Sequence, residues 1–467
     1  MSQNDGQTVT PPDCMESDGR SLSWCPPASY LQEDWFKSVK GRKSNHNIIS
    51  VWELAGDVDE SALLEALRSL ASRHDTLRTA LRATAGGLEQ VVRPVVEVAV
   101  WRADVSDAAD PVEELRRLAT IDGGRAFSLT KPPLWRAGLV RLGDRRYAMV
   151  MNFSHAISDG WSTAVAFRDF TRLYQGLIGG RPPHLPDMKV QFGDFATWER
   201  QLRVPERQEQ WRRHLSMESK YPSLVLAKQP SRHGQAFEMV CRPFPAVGPT
   251  VSSRLEQVAR ECGGNISTAV LAAVCMTLCR YITGDLVIGF LYANREQTEL
   301  QPLIGPLLDY LPLRSFLSNR LCFAEIVQDL HEEMKLAKKR RLPIGLIERS
   351  LARSCTNAGT LFDVAVDFMP RARSPVYTTR DRMDRRLLFS PVPVPALSIR
   401  HRGNRKFAVT VPITYLVHRD VSGVLTGWTY GNARVLSCKT MGDLGHGFSS
   451  MLVSASQNPS RPLRDLV

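Results

Sequence analysis

The chain has 467 residues, more than one hydrophobic core usually organises, so two domains or a two-lobed body is expected. Hydrophobic residues make up 43% and charged residues 23%, ordinary globular values, and no run of about 18 apolar residues exists to form a membrane span. Residues 1–20 are polar and lack the basic-then-apolar order of a signal peptide, so a disordered leader and a cytoplasmic protein are expected. The net charge is +12 and the pI about 9.4, which permits nucleic acid, membrane headgroups or an acidic protein as partner. Nine cysteines show no paired metal-ligand spacing, and Cys275 and Cys279 fit core packing in an apolar run.

Asp57 with Glu60 suggests a capping-box helix start, and Leu63, Ala66, Leu67, Leu70 and Ala71 keep the spacing of one apolar helical face. A strand pair around Leu81 and Val91 is broken at Gly86-Gly87, and a short amphipathic helix covers residues 113–121. Strands at 134–140 and 147–153 flank Gly143-Asp144 as a hairpin would. In the second, both alternating sets are apolar, which predicts a central strand buried on both faces. Residues 161–176 read as a helix. Gly179, Gly180, Pro182, Pro183 and Pro186 then form the clearest break, placing a lobe boundary near residue 185. Beyond it, helices are expected at 267–280, 323–338 and 443–454, with strands at 285–291, 362–368, 407–413 and 424–430. Strands and helices alternate throughout, so the class is mixed α/β.

The chemistry concentrates in the segment Asn152-Phe153-Ser154-His155-Ala156-Ile157-Ser158-Asp159-Gly160-Trp161-Ser162. A buried strand delivers an imidazole, the side chain best suited to accept a proton near neutral pH. Asp159-Gly160 then opens a helix, whose first N–H groups are free to meet a ligand. A Ser154–His155 dyad is disfavoured because adjacent strand residues face opposite ways. A metal site lacks further ligands, so none is expected. Two readings stay open on the residues alone: a general-base or positioning histidine, or a satisfied core histidine beside a capping aspartate.

The segment resembles the H-H-x-x-x-D-G signature of the nonribosomal peptide synthetase condensation-domain superfamily, and further blocks resemble that family in order. They are Ser72-Arg73-His74-Asp75-Thr76-Leu77-Arg78-Thr79, Pro133-Leu134-Trp135-Arg136-Ala137, Phe192-Gly193-Asp194-Phe195-Ala196-Thr197-Trp198, Ala293-Asn294-Arg295 and Leu311-Pro312-Leu313-Arg314. The resemblance implies two chloramphenicol acetyltransferase-like lobes, residues 21–185 and 186–467, in a V-shaped pseudo-dimer with the active site at their interface. It implies that His155 is the functional histidine, with the Gly160 N–H at the developing oxyanion. Asp159 would be structural, paired with Arg295, one member from each half tying the shared site together. Ser154 stands where the family has its first histidine, a supporting position, and Asp309 where a later block has asparagine. Trp161, Ser162, Asp309 and Tyr310 are expected to line a substrate tunnel.

The same resemblance implies an enzyme that joins an acyl or aminoacyl thioester to an amine or hydroxyl acceptor, and with no phosphate-cradling loop for ATP and no fused carrier domain in the sequence a free-standing monomer is expected. The donor would ride on the phosphopantetheine of an acyl or peptidyl carrier protein, with no permanently bound cofactor. A coenzyme A-dependent acyltransferase of the same fold, or an inactive module that recruits other enzymes to a carrier, are the alternatives. Gly263-Gly264-Asn265-Ile266-Ser267 superficially resembles a carrier attachment site, but its serine falls one position late. Positive charge clusters in Lys338-Lys339-Arg340-Arg341 and in ten basic residues between Arg371 and Lys406. A solvated loop or a docking face for an acidic carrier are the two readings of it. Neither nucleic acid nor membrane is expected as a partner, since no nucleic-acid module accompanies the charge.

Overall fold

The computed structural model describes residues 14–15, 21–22, 24–39, 43–44, 46–180, 185–215, 239–281, 286–315, 321–351, 361–362, 364–370, 387–391, 411, 413–432, 436–462 and 465. The chain forms two compact units. The first contains Met1–Gln201, Arg295–Leu307 and Asp381–Leu397; the second contains Leu202–Asn294, Leu308–Arg380 and Ser398–Val467. The edge of the first unit thus falls beyond the Gly/Pro-rich break near residue 185. The reason is local. Helix Phe192–Arg200 sets Gly193 against Trp24 and accepts the Tyr30 N–H on Glu199, 2.9 Å away, so it packs with the N-terminal segment.

The first unit is built on a five-stranded sheet in the order Leu387–Pro391, Asn47–Gly56, Arg146–Ser154, Trp135–Gly143, Val100–Asp104. All neighbours are antiparallel except the last pair. Strand Arg146–Ser154 lies in the middle, with Ala148 to Ser154 buried, as its apolar residues on both alternations require. On one face Ala148 and Val150 meet Leu115 and Ala119 of helix Pro111–Gly124. On the other, Trp52 stacks on Phe167 of helix Gly160–Ile178, centroids 3.7 Å apart. Helix Glu60–Arg73 packs beside that helix. Its cap is Asp59, which accepts the Ala62 N–H at 3.0 Å; Asp57 instead pairs with Arg145 at the surface.

The second unit carries a six-stranded sheet in the order Met239–Pro243, Leu425–Asn432, Ile413–Arg419, Val364–Pro370, Leu286–Tyr292, Asp309–Ser315. Val364–Pro370 runs parallel to both its neighbours and the other pairs are antiparallel. Of the strand expected at 407–413 only residues 411 and 413 lie among the described residues, and the strand described there is Ile413–Arg419. Helices Pro249–Glu261, Ile266–Leu278, Phe323–Lys339 and Cys438–Gln457 belong to this unit. Ile266–Leu278 is buried on every side, consistent with its Ala, Val, Leu and Met content. Asn265 caps it, accepting the Ser267 and Thr268 N–H groups, so the glycine-rich segment before it is a helix start. Alternate residues of Ile413–Arg419 divide the sheet's faces. Ile413, Tyr415 and Val417 are buried, with Tyr415 against Phe448 of the last helix, while Thr414, Leu416 and His418 are partly exposed.

No single described helix is long and apolar enough to cross a membrane. Arg340 of the basic run lies over the Trp211 ring, 4.5 Å from its centroid, and pairs with Glu333, and Lys338 sits over Tyr292. Of the 371–406 cluster, every basic residue lies outside the described residues.

Candidate active site

Strand Arg146–Ser154 ends in a turn fastened at almost every residue. Ser154 N–H donates to the Leu134 carbonyl at 2.9 Å and His155 N–H to the His46 carbonyl at 2.8 Å. Ile157 N–H and the Ser158 hydroxyl both reach the Ser154 carbonyl, at 3.0 and 2.9 Å. The Ser154 side chain is buried and accepts the Ala156 N–H at 3.4 Å, so it serves the turn and is no partner for the imidazole. From the N-terminal helix Tyr30–Ser38, Gln32 donates to the Ala156 carbonyl at 3.1 Å.

The His155 ring stacks on Trp35 of that helix, centroids 5.0 Å apart and planes 24° apart, and Trp35 in turn meets His46 at 4.8 Å. His155 is partly exposed, but its Nδ1 is buried and makes no hydrogen bond among the described residues, leaving Nε2 as the nitrogen able to meet a ligand. Burial lowers its pKa, outweighing the opposing pull of Asp159 and of the His155 and Ser158 backbone. The imidazole is therefore a neutral base at neutral pH.

Asp159 caps helix Gly160–Ile178. Its Oδ1 accepts the Ser162 N–H and hydroxyl, each at 2.7 Å, and its Oδ2 accepts the Leu307 N–H at 3.0 Å. Arg295 Nη2 lies 3.1 Å from both oxygens, with both side chains buried. Burial works against the carboxylate, but the charge of Arg295 and the donors of Ser162 hold its pKa below the usual value. Arg295 Nη1 also donates to the carbonyls of Leu300 and Leu303, at 2.9 and 2.7 Å. The expectation that this pair ties two halves together is corrected by the contacts: Arg295–Leu307 belongs to the first unit with Asp159. There Leu300, Leu303 and Leu307 pack on Phe192, Phe195 and Ala196, and the Thr76 hydroxyl donates to the Ile304 carbonyl at 2.7 Å.

The remaining expected residues divide. Gly160, the first helical residue, is exposed, and a Cβ built there would meet nothing within 4 Å. Trp161 is partly buried and gives its indole N–H to the Gln301 carbonyl at 2.9 Å. Ser162, expected to line a tunnel, is buried; its hydroxyl is taken up by Asp159, Arg295 and the Gly305 backbone. Asp309 and Tyr310 lie in the second unit. Asp309 accepts the Ile344 N–H at 3.0 Å, capping helix Ile344–Ser350, and Tyr310 donates its hydroxyl to Asp367 at 3.2 Å. The sequence reading missed Gln32 and Trp35. Its available signal was Ser29-x-x-Gln32, a capping box that the structure contains. Among the described residues no group of three or more His, Cys, Asp or Glu side chains is placed to hold a metal ion.

Two mixed α/β units with a histidine–aspartate loop closing onto a helix start define a chloramphenicol acetyltransferase-like protein of the condensation type. The X-domain from teicoplanin biosynthesis superposes with a TM-score of 0.77 at 22% identity, covering 94% of this chain and 97% of that one. The SgcC5 protein from Streptomyces globisporus superposes at 0.75 and 22% identity, covering 94% of this chain and all of that one, 100%. A family model described as Condensation domain matches residues 27–465, and the chain belongs to that family. One of the linear gramicidin synthase proteins of Brevibacillus parabrevis is 26% identical over 456 residues, 94% of this chain; the chain spans only 6% of that relative's length.

Proposed function

We propose that the protein transfers an acyl or aminoacyl group from a thioester to an amine or hydroxyl acceptor in natural-product biosynthesis, forming an amide or ester. The observation that carries this is a neutral, partly exposed His155, stacked on Trp35, five residues before the exposed helix start at Gly160. A thioester is already activated, so the work is to hold the acceptor against its carbonyl and to manage one proton. The acceptor nitrogen or oxygen bonds to the carbonyl carbon and its proton passes to Nε2 of His155. The carbonyl oxygen takes up negative charge facing the Gly160 N–H. As the C–S bond breaks, the imidazolium returns the proton to the departing sulfur.

A carrier-bound phosphopantetheine thioester is the proposed donor, as the family's synthetase relatives support. The rhizomide synthetase starter condensation domain, of the same fold at TM-score 0.75 and 16% identity, was crystallised with C8-CoA and Leu-SNAC, which favours coenzyme A as the second donor to test. The X-domain of teicoplanin biosynthesis forms a complex with OxyB, and that favours a second reading in which the fold recruits another enzyme. Intact-mass detection of product from matched carrier-bound and coenzyme A donors decides between them. Product that vanishes in a folded His155→Ala variant supports transfer. Full activity in that variant removes His155 from the reaction, and carrier binding with no turnover for any donor supports recruitment.

A further inference from the structure

Strand Val364–Pro370 occupies the middle of the second unit's sheet and is apolar except at one position, Asp367. Val364, Val366 and Phe368 turn to the buried face, in the row of Tyr415, which packs on the last helix. Asp367 turns the other way. It aligns with Leu416 on one neighbouring strand and follows the row of Leu291 and Tyr310 on the other side. Phe362 lies over Gly289 on this same face, where a Cβ would fall 2.2 Å from its ring, and contacts Tyr310 at 5.4 Å. The carboxyl is therefore set among Tyr310, Phe362, Leu291 and Leu416, with the Tyr430 phenol near enough to be influenced by its charge.

Nothing described in the fold requires a carboxylate there. Its Oδ1 accepts the Tyr310 hydroxyl at 3.2 Å, a bond that an asparagine oxygen would make equally well. Among the described residues no Arg, Lys or His pairs with it, and burial raises its pKa to about 7. A carboxyl kept in such a setting without a cation lowers the stability of the unit, and costs of that kind gather where ligands bind. A metal ion is a poor candidate, because no set of three metal-ligating side chains is found among the described residues. An ammonium group fits better. It needs one carboxylate oxygen without a partner, which Oδ2 offers among the described residues, and it is favoured beside aromatic rings.

We infer that Asp367, oriented by Tyr310, binds the protonated amine of a substrate on this face of the second unit. The inference rests on the acyl-transfer reading for the identity of that substrate, an amine-bearing aminoacyl group, but not for the existence of the site.

The test uses the full chain and two probes of one shape: leucinamide, and the amide of 2-hydroxy-4-methylpentanoic acid, in which a hydroxyl replaces the amine. Calorimetric titration at pH 7.5 is expected to show leucinamide bound about tenfold or more tightly than the hydroxy analogue by the wild type. Asp367→Asn should abolish that preference while its circular dichroism stays unchanged, and Tyr310→Phe should reduce it. No preference in the wild type, or an undiminished preference in Asp367→Asn, overturns the inference. His155→Ala separates the two readings. It should keep the amine preference whatever happens to turnover, so a protein that shows the preference and transfers nothing retains this site and loses the proposed reaction.

Discussion

Arg295 places Nη2 3.1 Å from each carboxylate oxygen of Asp159 and stretches Nη1 across the carbonyls of Leu300 and Leu303. One side chain thereby fastens the loop that it begins to the N-terminus of helix Gly160–Ile178, 136 positions earlier in sequence. The pair is enclosed, so removing the carboxylate leaves a guanidinium buried without a counter-charge.

Asp159→Ala is therefore expected to lower stability by about 3–5 kcal/mol, read as a drop in the urea midpoint. Combining it with Arg295→Met should recover part of that loss, because both charges then leave together. An Asp159→Ala protein that unfolds at the wild-type midpoint would contradict the clamp and leave the aspartate with a role in turnover alone.

Two glycines near this clamp give opposite expectations. At Gly305 a Cβ would fall 2.1 Å from Phe192 Cδ2, and Phe192 is fully enclosed, so Gly305→Ala should destabilise by about 1–3 kcal/mol through overpacking. At Gly160 a Cβ meets nothing, and alanine is the better helix former. Gly160→Ala should fold at least as stably as the wild type yet lose turnover, because the new methyl narrows the open space at the helix start where the acyl group is proposed to lie. Undiminished turnover in Gly160→Ala would show that the substrate does not pack against this position.

The framework of the first unit was largely legible because its signals are local. Strand Arg146–Ser154 declares its double burial through two apolar alternations, and Asp159-Gly160 marks a helix start. The Asp159–Arg295 pairing came from family resemblance, since no local pattern links positions so far apart. What escaped was set by tertiary contact. Helix Tyr30–Ser38 buries only Gln32 and Trp35, too thin a stripe for periodicity to reveal, yet it supplies the surface on which His155 stacks. Strand Leu387–Pro391 joins the first unit's sheet from more than 300 residues away, a pairing no turn signal announces. Ser162 resembled a lining residue by its place in the signature, but its hydroxyl completes the capping of Asp159. Asp367 is a single polar residue in an apolar strand, and its environment exists only once Tyr310 has paired in register.

The pH dependence of turnover follows from the direction of the His155 shift. Burial depresses its pKa below 6.5, so the imidazole is an unprotonated base throughout the neutral range. The acid limb of the kcat/KM profile should accordingly lie below pH 6.5, with activity falling as protonation removes the base. His155→Ala should lose about 10²–10⁴-fold in rate, and any residual activity should lack this limb. A limb above pH 6.5 that survives the substitution would belong to another group. For stability the sign is the same: the fold favours the neutral ring, so this contribution is complete above pH 6.5. It is lost as pH falls toward the depressed value.

Asp367 reverses that sign for a carboxyl. Its pKa rises from an ordinary 3.8 to about 7 because burial disfavours the charge, with the Tyr310 hydrogen bond opposing. Among the described residues the titratable groups around it are the phenols of Tyr310 and Tyr430, both raised, with Asp309 acting on Tyr310. Below about pH 3 the carboxyl is neutral in folded and unfolded chains alike and costs nothing by ionisation. As pH climbs from 4 to 7 the unfolded chain releases this proton first, and the fold loses stability that it does not regain at higher pH. Asp367→Asn removes the ionisation, keeps an acceptor for Tyr310, and should stabilise the protein by about 2–4 kcal/mol at pH 8 but hardly at all at about pH 3. Thermal unfolding of both proteins across that range measures it. An Asp367→Asn variant less stable than the wild type at pH 8 would show that the charge is already satisfied within the fold, and would take away the reason to look for an ammonium beside it.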